Sequence, residues 1–256
     1  MKKRIPSKKA TNGSPTDSVT KRDERGTAMS TLLLFARHRT LTSQQIAGLL
    51  RIPVSTVYRH LQTLLQAGFV VENPVIGRYS AGPEVVRLAD NYRQEASAQG
   101  VVRRRLEQLS AETGELAAYM VQSSLEVICV DSVESIHILS CSYAPGRSRP
   151  LLHGASARAI MAHLPAREVD DIITSHSLTP ADEQAIRSDL EQIRSGGYAT
   201  SQGALAPGVW GASAPVFNDS TLAGVVTTMV PVERATTETE RNRYINLTRQ
   251  AARDLS

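Results

Sequence analysis

Cysteine is almost missing from this chain: Cys129 and Cys141 are its only two, and neither sits in a Cys-x-x-Cys pair. That excludes a disulfide scaffold and fits a reducing, cytoplasmic setting. Aromatic residues make up only 4% of the total, so a stacking platform for single-stranded nucleic acid is not expected. No apolar run approaches the roughly 20 residues that span a bilayer, and no membrane partner is expected. No apolar stretch follows the basic first residues, which speaks against a secretory signal. Histidines at 38, 60, 137, 153, 163 and 176 form no His-x-x-x-His and no Cys/His cluster. Neither a metal nor another cofactor is expected.

Charge is present but uneven. Residues 1–80 hold 13 Lys/Arg against 4 Asp/Glu, whereas residues 81–256 hold 16 against 21. A basic front on an acidic body suggests that the front meets a polyanion. Residues 1–24 are rich in Lys, Ser, Thr, Pro and Gly and nearly free of large apolar side chains. Such a segment cannot offset its ordering entropy and is read as a flexible basic arm. Lys2, Lys3, Arg4, Lys8, Lys9, Lys21 and Arg22, with Arg25 just beyond, would attract phosphate without regard to sequence.

From Gly26 the pattern changes. Met29, Leu32, Leu33 and Ala36 recur at helical spacing and predict a helix over Thr27–Arg37. Thr42, with Gln45 three residues on, makes a capping box for a second helix whose apolar face is Ile46, Leu49 and Leu50. Arg51-Ile52-Pro53 ends it. A third helix begins at Val54 or Ser55, runs through Val57, Leu61, Leu64 and Leu65, and stops at Gly68. Phe69–Val71 and Arg78–Ser80 read as two short strands around a turn, a wing. Residues 25–82 thus describe a winged helix-turn-helix, whose third helix would enter a major groove with its N-terminal residues leading. Ser55, Thr56, Tyr58, Arg59, Gln62 and Thr63 are its outward candidates. Arg59 is placed for a guanine edge or a phosphate. Ser55 and Thr56 suit phosphate, as does Arg78 on the wing. Thr42 and Ser43, at the start of the preceding helix, join them as candidate DNA contacts.

Pro83 opens a long helical stretch to Gly114, with Gly100 as a kink or break, and residues 83–113 are read as a linker helix. Residues 114–256 then alternate strands and helices. Leu116–Val121, Val127–Val133 and Ile136–Tyr143 read as antiparallel strands. Gly154–Leu164 reads as a helix of small residues. Thr179-Pro180-Ala181-Asp182-Glu183 starts another that ends at Gly196-Gly197. Val209–Phe217 and Leu222–Val230 form a hairpin, and Thr237–Leu255 a last helix. The class is α+β.

The chain resembles the IclR-type transcriptional regulators. In front, the resemblance lies in Leu41-Thr42-Ser43-Gln44-Gln45-Ile46-Ala47, in the run from Ile52 to Leu61, and in Gly68-Phe69-Val70 followed by Tyr79. Behind, it lies in the runs from Pro150 to Ile160, from Ile193 to Ala199 and from Pro207 to Val216. The family implies a winged-helix head, a linker helix and a GAF-like effector domain of antiparallel sheet with flanking helices. It also implies homodimers that often associate into tetramers. A dimer would set two recognition helices on a pseudo-palindromic double-stranded DNA operator. A small-molecule effector, an aromatic or organic acid, would lie on one face of the rear sheet. By motif position its contacts would be Ala155, Ser156, Ser201, Gly211, Thr227 and Met229. The first turn at Ser156 offers helix N–H groups to a carboxylate. Three positions depart from the family pattern: Val54 where a basic residue is usual, Ala204 where glutamate is common, and Ala157 for glycine. Val54 speaks against a phosphate contact at that position, whereas Ala204 and Ala157 imply a more apolar pocket, favouring an aromatic or bulky effector.

Two other classes stand as alternatives. Ser156, His153 and Asp131 are a nominal nucleophile, base and orienter, but no Gly-x-Ser-x-Gly surrounds the serine. Catalysis is not expected, and a GAF-like enzyme is the weaker alternative. Cys129 and Cys141 fall in predicted strands, where free cysteine usually serves as a small core residue. A thiol-responsive regulator is the other alternative.

Overall fold

Threonine writes several of the helix starts. The structure, a computed structural model, describes residues 26–74, 77–96, 100–137, 141–176 and 178–256. Thr27, Thr42, Thr179 and Thr237 each accept a backbone N–H three residues on, and the last three are full capping boxes with Gln45, Asp182 and Glu240. Each bond satisfies a donor that the first helical turn would otherwise leave orphaned.

The chain divides into two compact units between Asn91 and Tyr92. The first contains α1 (Ala28–Leu34), β1 (Leu41–Thr42), α2 (Ser43–Leu50), α3 (Val54–Gln66), β2 (Val70–Glu72) and β3 (Arg78–Ala81). Arg51, in the left-handed region at φ 57°, closes α2. Proline cannot extend a helix from within, and Pro53 instead precedes the first turn of α3. Gly68 follows α3 at φ 73°, where a side chain would be strained. The wing is wider than expected, because the two residues of β1 pair with β3 and give the antiparallel order β1-β3-β2. Gly82 is required after it: a Cβ there would lie 2.2 Å from the Gly68 carbonyl oxygen. Ile46, Val57, Leu61, Leu64, Val70 and Tyr79 form the core. Thr31 and His60 are buried among them and share a hydrogen bond, Oγ1 to Nδ1, of 3.0 Å that ties α1 to α3. The basic arm 1–24 lies outside the described residues, as do residues 75 and 76 of the wing turn.

The predicted linker over 83–113 is two helices, α4 (Pro83–Ala96) and α5 (Val101–Thr113). Gly100 precedes α5 at φ 84°, outside helical geometry. α5 is part of the second unit's core, since Val102, Leu106 and Leu109 are buried on its sheet.

That sheet has six strands: β4 (Leu116–Ser123), β5 (Glu126–Val133), β6 (Ser148–Pro150), β7 (Ala199–Gln202), β8 (Val209–Asn218) and β9 (Thr221–Pro231). They are all antiparallel, in the order β6-β5-β4-β9-β8-β7. Both faces are covered. Leu116, Ala118, Met120, Val225 and Met229 pack with α6 (Ala155–Met161), α7 (Ala166–Thr174) and α8 (Pro180–Gly196). Ala117, Tyr119, Ala214 and Val226 pack with α5 and with Ala251 and Ala252 of α9 (Glu238–Asp254). Period-2 alternation thus serves two cores from one strand.

The strand expected over Ile136–Tyr143 is not one among the described residues. Ile136 is 76% exposed, while Cys141 and Tyr143 are buried in loop. The backbone of Cys129 bonds Gly146 and Arg147 instead, and that turn delivers β6 to the edge of β5. Residues 166–174 form the helix α7, with Val169, Ile172 and Ile173 buried.

Two predictions follow from the packing. Glu115 is fully buried before β4 and accepts two hydrogen bonds from Arg234, from Nε at 2.5 Å and Nη2 at 2.8 Å. Arg234→Met leaves that carboxylate unpaired and should lower stability by about 3–5 kcal/mol in urea unfolding, with Glu115→Gln in the same chain restoring part of the loss. An unchanged midpoint would contradict this role. Burial, and then the adjacent Arg59 charge, hold the His60 imidazole below its ordinary pKa of 6.5. The unfolded chain therefore takes up a proton near pH 6.5 that the folded chain takes up only at lower pH. Stability should fall as pH drops through that value. Thermal melts between about pH 7 and 5 should show this slope, and His60→Gln should flatten it.

Candidate functional site

The burial pattern of α3 separates two faces. Val57, His60, Leu61 and Leu64 point inward, while Ser55, Tyr58, Arg59, Gln62 and Thr63 are exposed and Thr56 is half-buried. Arg59 makes no ion pair among the described residues, and the hydroxyl of Thr63 donates to the Arg59 carbonyl. Arg78 is exposed at the start of β3, with its guanidinium 3.5 Å from the Thr40 hydroxyl. Two expected contacts are occupied otherwise. Thr42 spends its hydroxyl on the cap of α2. Ser43 is buried, because α2 packs against α3, and its Oγ lies within hydrogen-bond distance of Tyr58 Oη at 3.3 Å and of Gln44 Oε1 at 3.2 Å. Ser43 is therefore a brace between α2 and α3, and Tyr58 is held from behind by it.

In the second unit a cavity of about 280 Å³ opens between the start of α6 and the sheet. Ala155, Ser156, Ser201, Gly211, Thr227 and Met229 all line it. Strand register brings the last four together: Ser201 pairs with Gly211, which pairs with Met229, and Thr227 lies two residues before Met229 on the same face. Trp210 and Ala212 face the opposite core, so Gly211 faces the cavity, and its missing side chain leaves room there. A Cβ at Gly211 would meet nothing closer than 3.6 Å, so the glycine adds open volume to the cavity rather than relieving a backbone clash.

The polar groups of the cavity are partly committed. The Ala155 N–H donates to Ser201 Oγ at 3.0 Å, so the first amide of α6 is already satisfied. Thr227 shares a 2.8 Å bond with Ser213. Met120, Leu205 and Val209 add apolar wall, and Tyr143, Arg149 and His153 add polar groups. Sequence reasoning assigned none of these six to the cavity, although His153 and Val209 fall in the family-like runs. They come from separate parts of the chain, and no local pattern shows that they meet. Burial raises the Tyr143 phenol above its usual pKa.

The rival constellations do not form. Asp131 is bound by Arg103 of α5 at 2.9 Å, whereas Ser156 lines the cavity on the α6 side of the sheet. Burial pushes the thiols up to about 12 at Cys129 and about 11 at Cys141. Both are then protonated at neutral pH, the unreactive form. Among the described residues no His, Cys, Asp or Glu group is arranged to hold a metal, and no helix is long and apolar enough to cross a membrane.

Known proteins agree with this architecture. Residues 28–74 match the IclR helix-turn-helix domain, and residues 92–256 match the C-terminal domain of bacterial IclR transcriptional regulators. The chain is similar to the HTH-type transcriptional regulator KipR of Bacillus subtilis, 25% identical over 197 residues, covering 75% of this chain and 78% of the relative. It is similar to the HTH-type transcriptional regulator BhcR of Paracoccus denitrificans, 27% identical over 239 residues, covering 90% and 84%. The crystal structure of an IclR transcriptional regulator from Alicyclobacillus acidocaldarius superposes with a TM-score of 0.76 at 25% identity, covering 90% of this chain and 95% of that one. With both matched regions in the family's order, the chain belongs to the IclR family of helix-turn-helix transcriptional regulators.

Proposed function

We propose that α3 reads a pseudo-palindromic double-stranded operator and that the cavity beside α6 holds the small organic effector that controls it. One observation carries the first half: α3 buries a full apolar face and leaves Arg59 outward with no ion-pair partner among the described residues. An exposed guanidinium on a helix of this kind suits a guanine edge or phosphate. Ser55, Thr56, Gln62 and Thr63 share that helix, and Arg78 of the wing supplies a backbone contact. The six cavity residues support the second half, since a concave, mostly apolar site with a few polar groups suits a small organic ligand.

The working unit is a homodimer in the cytoplasm. Met29 and Leu33 of α1 are each 61% exposed, and Val86 and Leu88 of α4 are 68% and 57% exposed. Apolar side chains left outward on two helices favour a second copy, which would also match a two-fold operator. Effector binding then acts as a population shift, limited by its differential affinity for the DNA-competent and incompetent shapes.

Arg59→Ala should weaken specific operator binding by about 1–3 kcal/mol and leave the melting curve intact. Gel-shift titration at fixed salt tests it, and wild-type affinity would remove Arg59 as a reader. Ser156→Trp should fill the cavity, abolishing the effector response while operator binding persists. An unchanged effector dose–response would show that the ligand sits elsewhere.

A further inference from the structure

The phenol of Tyr58 is half in solvent and half engaged. It stands on α3 between buried Val57 and exposed Arg59, and it is 53% exposed. Its Oη lies 3.3 Å from the Oγ of buried Ser43, in the first turn of α2. Tyr79 of β3 is close as well, since burial first, then Glu72 and Tyr58, raise the Tyr79 phenol above its usual pKa. The Tyr58 ring therefore lies along the seam where α2, α3 and the wing strand meet, rather than straight out beside Arg59.

With α3 docked in a major groove, that seam faces the sugar-phosphate rim, because the preceding helix crosses the backbone while the recognition helix lies between the strands. The available protons settle the direction of each bond. A phosphate oxygen only accepts, so the phenol must turn its own proton outward and leave its oxygen to accept from within. Ser43 has one proton and two acceptors in reach, Tyr58 Oη at 3.3 Å and Gln44 Oε1 at 3.2 Å. Gln44 is exposed and can be satisfied by water, so turning the Ser43 proton to Tyr58 leaves no group unmet. Hydrogen bonds in such a chain polarise one another, which makes the outer hydroxyl a better donor. A ring tethered at its far end has also lost part of its freedom before DNA arrives.

We propose that Tyr58 donates to a backbone phosphate beside the groove and that Ser43 is the positioning residue that aims it. This rests on the reading of α3 as the operator-binding helix. Tyr58 sets the register of α3 on the duplex, and Arg59, one residue on, meets the base edge. Ser43, being buried, acts on DNA only through the phenol.

The test uses full-length protein and a duplex that the wild type enriches from a randomised pool, with affinities compared at one salt concentration. Tyr58→Phe should weaken binding roughly tenfold and Ser43→Ala roughly threefold, both with the wild-type Tm. Ser43→Thr, which keeps a hydroxyl, should retain part of the affinity. Ser43→Ala added to Tyr58→Phe should cost nothing further. The same duplex is then made with single phosphates replaced by neutral methylphosphonates. At least one position that penalises the wild type should penalise Tyr58→Phe much less, with Ser43→Ala in between. A merely structural serine would lower Tm and leave this phosphate map as it was. Wild-type affinity in Tyr58→Phe, or a phosphate map identical to that of the wild type, overturns the contact. A Ser43→Ala loss that persists in the Tyr58→Phe chain, or no loss at all, overturns the positioning role. If no duplex is enriched, the operator reading itself falls and takes the proposal with it.

Discussion

A sheet covered on both faces is the constraint from which the second unit's chemistry follows. Most residues of the central strands β4 and β9 are buried in one core or the other. Leu116, Ala118 and Met120 serve one, and Ala117 and Tyr119 serve the opposite one. Such a sheet offers no exposed face for a ligand. A cavity can form only where a covering helix begins late and the strands beneath it carry small side chains. The start of α6, with Gly154, Ala155 and Ser156, lies over Gly211 and Thr227, and the cavity is there. The pair of buried Glu115 and half-buried Arg234 stands at the start of β4 and secures the backbone just after β9.

The first unit follows the opposite rule. Its helices are short, and each has one buried face. The inner side of α3 therefore fixes the outer side without any further device. His60 sits at the boundary between the two roles. Its ring is buried against Thr31, while the residue before it, Arg59, is exposed. The same burial that orients Arg59 outward keeps the imidazole neutral.

Much of this was legible in the residues, and the pattern of what was not has a physical cause. Thr42 with Gln45, Pro180 after Thr179, and Gly68 after α3 act within a few residues, so their effects are readable from sequence. The stretch 136–143 misled because its apolar residues suggest a strand. Its buried members, Cys141 and Tyr143, are instead held in loop by a turn that bonds back to Cys129. Ser43 misled in a different way: a polar residue in a first helical turn reads as outward, but the packing of α2 on α3 buries it.

By itself, then, the sequence determined where helices begin and end, which face of α3 is apolar, the charge contrast between front and rear, and the family motifs. These are short-range or compositional properties, and each residue carries its share independently of distant partners. Tertiary structure alone decided which residues meet across the sheet. Met120, the stretch from Tyr143 to Arg149 and the stretch from Leu205 to Val209 are far apart in the chain, and only antiparallel register and the loops around it bring them to one cavity. Their meeting depends on that convergence, which no local pattern encodes.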